Sequence, residues 1–341
     1  MKFQKYTKVE NHYRPEFIER IKLEGKDSGN WVATEKIHGA NFSIWVNATR
    51  TRLAKRTGLL GDGSNFFNAN TIAPELREKA RECFRRVKED YPALKTIAIY
   101  GELCGGCYPH PEVAQSPNYK KVQQGIWYSP RLEFLVFDIK LLYGDGNSEY
   151  LPVYETYFYA HVSDFEPVPI VGIGTFEGVM GIRNDKVSRV RKIFNLPIIK
   201  NNTMEGLVIR PDEDKYLRRG ERVIIKSKNS KWSEKVHHKK KVILKLTGVR
   251  KKFADVALSM INANRYDAVV SKMGDVTPKD FARIMGLIIQ DVHSSIIDEC
   301  PKLYMQFQGL DKTERKLIQR VVAPEVAVII REKLLGIKVK R

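Results

Sequence analysis

The spacing of apolar residues changes once along this chain, and that change limits the folds open to it. In the first two thirds, apolar residues recur with the two-residue period of strands. Phe42, Ile44 and Val46 alternate with Asn41, Ser43 and Trp45, the pattern of a half-buried strand whose alternate side chains share a face. Further strand-like segments cover residues 31–36, Ile97–Leu103, Glu133–Leu141, Gly206–Arg210 and Arg222–Lys226. Residues 74–89 read as a helix. Pro74 suits its first turn, and Leu76, Ala80, Cys83, Phe84 and Val87 fall on one face. A shorter helix is predicted over Asp185–Phe194. Strands that follow strands, rather than alternating with helices, predict an α+β and mostly antiparallel domain.

After residue 246 the strand signals stop. Phe253, Val256, Ala257, Met260 and Ile261 are helically spaced. Thr277-Pro278-Lys279-Asp280 reads as an N-cap, a first-turn proline and an acidic third residue. Phe281, Ile284, Met285, Ile288, Ile289 and Val292 then form an apolar stripe, and residues 312–334 look helical too. The expected organisation is an α+β domain over 1–245 and a small all-α domain over 246–341.

Charge narrows the partner. The chain holds 59 Lys and Arg against 40 Asp and Glu, a net +19, which favours a polyanion because bound cations release the counterions of a phosphate backbone. The excess is concentrated. Residues 226–252 carry eleven Lys or Arg and one acid, Glu234, with Trp232, His237 and His238 interleaved as base or ribose contacts. No signal peptide and no apolar run of about 18 residues is present, so the chain reads as cytosolic with no membrane partner. Cys104-Gly105-Gly106-Cys107 lacks the second half of a zinc set, and Cys83 and Cys300 do not supply it. The four cysteines read as reduced thiols.

The chemistry-bearing residues sit at strand ends. Trp31-Val32-Ala33-Thr34-Glu35 leads into Lys36, and Gly39 follows three residues later. Such a lysine can point into a cleft while the glycine frees the backbone to turn. A lysine nucleophile must be neutral to attack, and burial or neighbouring cations favour that form. Lys55-Arg56-Thr57-Gly58 is a basic turn, and Tyr100-Gly101-Glu102 closes an apolar strand with a carboxylate. Glu133-Phe134-Leu135-Val136-Phe137-Asp138 carries aromatics and acids, and Glu205 opens the strand Gly206–Arg210. Lys226 and Lys228 share a strand face.

This ordered set resembles the covalent nucleotidyltransferases: DNA ligases, RNA ligases and mRNA capping enzymes. Three further stretches narrow the resemblance to the RNA ligase 2 family. They are Lys5-Tyr6-Thr7-Lys8-Val9-Glu10-Asn11-His12-Tyr13, Lys226-Ser227-Lys228-Asn229-Ser230-Lys231-Trp232, and Ser271-Lys272-Met273-Gly274-Asp275-Val276-Thr277-Pro278-Lys279-Asp280-Phe281. The similarity spans nearly the whole chain, weakens over 104–131 and 142–200, and extends in length to the phage members.

The resemblance implies an adenylyltransferase domain of ATP-grasp-like antiparallel sheets, followed by a helical RNA-binding domain. It implies ATP and Mg2+ as cofactors, with Mn2+ as a substitute. The partner would be RNA, as nicked duplex, and the chain a monomer. Lys36 would attack the α-phosphate of ATP and carry AMP. Glu35 with neighbouring Ile37 would read the adenine edge, and Phe137 would stack on the base. Glu102 and Arg56 would hold the ribose, and Asn41 would sit near the phosphate and metal. Lys226 and Lys228 would contact the phosphate, Glu205 would bind the metal, and His38 would either contact phosphate or be structural. Lys231, Lys235, Lys239 and Lys240 would grip RNA. The alternatives are a DNA ligase or capping enzyme, which the helical tail disfavours, or a catalytically silent RNA-binding relative.

Overall fold

The structure, a computed structural model, describes residues 1–61, 63–232 and 246–336. The chain divides into two compact units, Met1–Lys231 and Trp232–Arg341.

The first unit is α+β, as expected. Its strands are β1 (Glu10–Asn11), β2 (Trp31–Lys36), β3 (Ala40–Asn47), β4 (Thr51–Lys55), β5 (Gly58–Leu59), β6 (Leu94–Gly105), β7 (Leu132–Tyr143), β8 (Ser148–Tyr150), β9 (Glu166–Pro167), β10 (Ile170–Gly174), β11 (Gly206–Pro211) and β12 (Ile225–Lys228). They form a five-stranded sheet, β1-β12-β11-β2-β10, and a seven-stranded sheet, β5-β4-β3-β6-β7-β8 with β9 beside β7. Pairing is antiparallel except for β1 on β12 and β9 on β7. The chain passes from one sheet to the other at residues 37–39, between β2 and β3.

Three apolar layers hold this arrangement. The Ala73–Asp90 helix lays Leu76, Ala80, Cys83, Phe84 and Val87 on the seven-stranded sheet, against Phe42, Ile44 and Val46. Phe17 and Ile21 of the Pro15–Leu23 helix cover Trp31, Ala33, Leu207 and Ile209 on the outer face of the other sheet. Tyr6, Trp45, Tyr100, Tyr150 and Ile224 form a further cluster, with Phe137 and Val208 packed against it. β3 is therefore not half-buried. Its second face is covered as well, and Ser43 is satisfied there by the Trp45 Nε1–H at 3.0 Å.

Asp138 of β7 ties the two sheets together. It pairs with Arg210 of β11 at 2.9 Å and Arg222 at 2.6 Å, and accepts the Tyr6 hydroxyl at 2.8 Å. Burial alone would raise its pKa, but the two guanidiniums hold it below the ordinary carboxylate value.

Two expected elements differ. The helix over Asp185–Phe194 is one turn, Val190–Ile193. The residues before it are irregular, with backbone donors taken by tertiary partners: Ser188 N–H by Asn202 O, and Arg189 N–H by Glu35 Oε2. The strand over Arg222–Lys226 begins instead at Ile225, since Arg222 forms an isolated bridge with Tyr216 and is spent on Asp138 and Asp214.

The second unit shows no strand among the described residues. Its helices are Gly248–Ser259, Ala263–Met273, Phe281–Glu299, Pro301–Gln308 and Lys312–Leu334. The box expected at Thr277–Asp280 is formed. Ile284, Ile288, Val292 and Ile296, spaced by four, enter the core with Phe253 and Phe307, whose rings stack at 3.9 Å. Among the described residues no helix is long and apolar enough to cross a membrane.

Candidate active site

Lys36 ends β2, Gly206 begins β11 and Lys228 ends β12. In the ladder Gly206 stands opposite Lys36 on one side and Lys228 on the other. The side chain of Glu205, one residue before the ladder begins, meets both lysines. Lys36 Nζ lies 2.7 Å from Glu205 Oε2, and Lys228 Nζ lies 3.2 Å from Oε1. His38 Nδ1 is 3.3 Å from Oε2. Glu205 is 3% exposed. Burial works against its charge, yet Lys36, Lys228 and His38 hold its pKa well below the ordinary value. Gly206 makes this approach possible, because a Cβ there would lie 1.9 Å from the Ser227 carbonyl oxygen.

Gly39 does the same for the second carboxylate. A Cβ on it would lie 2.3 Å from Leu103 O and 3.1 Å from Glu102 Cγ. The turn after Lys36 thus packs flat on β6, and the Gly39 N–H donates to Glu102. Burial pushes the Glu102 carboxyl up to about 7, reinforced by Glu205 and opposed by Lys36 and Arg56. Asn41 is the ladder partner of Glu102 across β3 and β6. Phe137 occupies the register shift between the Tyr100–Asp138 and Gly101–Val136 pairs of β6 and β7, a bulge that re-aims a side chain. It is half-buried, with its ring edge-on to Tyr6 at 5.0 Å.

Residues 29–228 match the RNA ligase family, and residues 247–328 match the T4 RNA ligase 2 C-terminal family. The chain belongs to the RNA ligase 2 family. It is 34% identical over 157 residues to the mitochondrial RNA-editing ligase 2 of Trypanosoma brucei brucei, covering 40% of this chain and 36% of that protein. It is 27% identical over 266 residues to RNA-editing ligase 1 of the same organism, covering 67% and 55%. The chain thus spans about half or less of these curated relatives. Among solved structures it resembles a Naegleria gruberi RNA ligase mutant with AMP and Mn, with TM-score 0.43, 16% identity and coverage of 67% and 57%. An archaeal ATP-dependent RNA ligase gives TM-score 0.41 at 15% identity, covering 97% and 66%. At such scores these likenesses add nothing to the family assignment.

In this RNA ligase 2 family member Lys36, His38, Glu205 and Lys228 form one contact cluster, with Glu102 and Arg56 in electrostatic reach. Lys226 shares the β12 face with Lys228. Ile37 is buried in the crossing. Glu35 is not brought into the cluster. Strand alternation turns it from Lys36, and its buried carboxyl accepts the Arg189 N–H at 2.7 Å. Burial pushes it up to about 7, against the hydrogen bonds from Ser188 and Arg189. Lys231 is exposed and its ammonium donates to Gly125 O at 3.1 Å. Lys235, Lys239 and Lys240 lie outside the described residues.

The sequence reading missed Tyr128, whose hydroxyl accepts the His38 N–H at 2.9 Å, and Asn202, which pairs with Trp127. A cavity of about 440 Å³ lined by Arg50, Arg81 and Arg85 opens near Asn47, roughly 20 Å along β3 from Asn41. It is a separate feature, because Arg81 and Arg85 pair with Glu78, Glu82 and Glu89 of their own helix.

Proposed function

We propose that this chain is an ATP-dependent RNA ligase that joins RNA 3′-OH and 5′-phosphate ends through AMP carried on Lys36. The observation that supports this most is the Glu205 carboxylate shared by Lys36 and Lys228 beside the crossing turn. Each step places negative charge on phosphoryl oxygens, so fixed cations around the nucleophile are what the chemistry requires.

In the first step the Lys36 Nζ–phosphorus bond forms as the bond to pyrophosphate breaks. Lys36 must first leave Glu205 and give up a proton to solvent. Lys228 remains on the other carboxylate oxygen, and Lys226 on the same strand face would meet the phosphate. AMP then passes to an RNA 5′-phosphate, breaking the lysyl bond, and an RNA 3′-OH displaces it. Glu102, Asn41 and Arg56 would hold the ribose side, and Phe137 would stack on the base.

Among the described residues no group of three Asp, Glu, His or Cys gathers to cage a metal. A hydrated Mg2+ needs only one or two carboxylates plus substrate phosphates. Glu205, with Glu102 in electrostatic reach, fits that requirement and would hold it. When bound, the ion would offset charge on the reacting phosphoryl group. The charge excess and the relatives' names support RNA as the substrate, and the helical second unit supports a grip on duplex RNA by its shape.

The test is intact mass after incubation with ATP and Mg2+. Wild-type protein is expected to gain AMP. Lys36→Ala is expected to gain none, yet still to join RNA that is already 5′-adenylated. A wild-type chain that takes no AMP is a silent RNA binder, and normal adenylation of Lys36→Ala removes Lys36 from the mechanism. A panel of nicked duplexes and single-stranded ends, in RNA and DNA, then fixes the substrate.

A further inference from the structure

Residues 106–131 contain no helix or strand, yet Tyr108, Ile126 and Tyr128 are fully buried. The end of this segment touches three of the site's segments. The Tyr128 hydroxyl accepts the His38 N–H at 2.9 Å. Trp127 is held by the Asn202 amide on both sides: its N–H donates to Oδ1 at 2.9 Å and its carbonyl accepts Nδ2 at 2.7 Å. Gly125 O accepts the Lys231 ammonium. Asn202 O in turn accepts the Ser188 N–H, next to Arg189, which donates to Glu35.

The position of these contacts gives them meaning. Lys36–Gly206 is the last pair of the β2–β11 ladder, and Lys228–Gly206 is the last of β11–β12. His38 and Glu205 both lie one step or more beyond the ladder ends. Past that point the ladders no longer set their separation; the Asn229 N–H on Glu205 O at 2.9 Å, the 3.3 Å contact of the His38 ring with Glu205 and the packing of Gly39 on β6 hold the two ends, and none of them reaches the His38 backbone N–H. The Trp127–Tyr128 dipeptide bridges the gap. One residue reaches the turn after Lys36, and its neighbour reaches the chain three residues before Glu205.

We propose that Tyr128 and Asn202 are positioning residues that fix the Lys36 turn against Glu205 and thereby set the rate of AMP attachment to Lys36. The proposal rests on the ligase reading above. Tyr128→Phe keeps the buried ring but leaves the His38 N–H without its acceptor, and Asn202→Ala releases Trp127.

The experiment is single-turnover AMP attachment against ATP concentration, with thermal melting in parallel, for wild type, Tyr128→Phe, Asn202→Ala and the double variant. Each single change is expected to lower the saturating rate per folded molecule roughly tenfold, because small misplacements of a nucleophile are costly. The half-saturating ATP concentration should stay within about twofold, since ground-state binding is not altered. The double variant should be about as slow as the slower single, because both act on one dipeptide. The proposal is overturned if a folded single variant keeps the wild-type saturating rate, if the two losses multiply, or if neither variant folds, which would mark a purely structural role. Failure of the wild type to take AMP would instead overturn the ligase reading.

Discussion

The Lys36 ammonium and the Glu205 carboxylate lie 2.7 Å apart, with Lys228 on the other carboxylate oxygen. Because Glu205 titrates well below its ordinary value in the fold, these contacts stabilise the protein above the unfolded carboxyl pKa. Their contribution disappears as pH falls through the lower, folded value. Glu205→Gln should therefore be less stable than wild type at neutral pH, and the gap should close in acid. Urea midpoints measured from about pH 7 to about pH 3 check this. A gap that does not change with pH would count against the ion pairing.

Glu35 predicts the opposite slope. Its carboxyl is raised to about 7 in the fold by burial, so the folded state holds a proton that the unfolded chain has lost. Wild-type stability from this group falls as pH rises from about 4.5 to about 7. Glu35→Gln carries no such charge. It should equal or exceed wild type in melting temperature at pH near 8, and lose that advantage at pH near 5. Melting curves at the two pH values decide it.

Asp138 is fully buried between Arg210 and Arg222. Asp138→Asn would remove the carboxylate that Arg210 and Arg222 share, leaving Arg222 with Asp214 and Arg210 without its counter-charge, a change that costs about 3–5 kcal/mol for a buried pair. Denaturant titration should show that loss. A change under about 1 kcal/mol would mean the arginines find other partners.

Gly39→Ala should place a methyl group 2.3 Å from Leu103 O, against backbone that cannot rotate away. The turn that carries Lys36 off β2 must then lift from β6. AMP attachment should fall by about a hundredfold or more, in line with misplacement by about 1 Å. Near-normal attachment would show that the crossing turn tolerates another path.

The parts of the site legible in the sequence are those whose position a period decides. Lys36 and Lys228 end strands that alternation identifies, so their convergence on one face follows once both pair with Gly206, whereas Glu205 lies one residue outside the ladder and its contact with them does not follow from alternation. The Lys312–Leu334 helix and the Thr277–Asp280 box were legible for the same local reason. Tyr128 and Asn202 were not, because both lie in irregular segments and meet partners far along the chain. The helix over Asp185–Phe194 was over-read because local spacing says nothing of backbone donors claimed by Glu35 and Asn202. β3 was under-read for a related cause: alternation reports which face is polar, not whether a second sheet covers it.

The grip on RNA is the prediction that stands on charge alone. Eleven Lys or Arg against one acid fall between residues 226 and 252, within a chain of net +19. Each lysine that meets a phosphate releases condensed counterions, so affinity should fall steeply and linearly on a log–log plot against salt. Lys235, Lys239 and Lys240 belong to this run and lie outside the described residues. Replacing all three with alanine should flatten the slope by roughly one unit for each phosphate that is no longer neutralised, equally for any RNA sequence. AMP attachment needs no RNA, so it should proceed at the wild-type rate in the same variant. A wild-type slope near zero would remove the basic run from the RNA interface, and an unchanged slope in the triple variant would assign the phosphates to other cations.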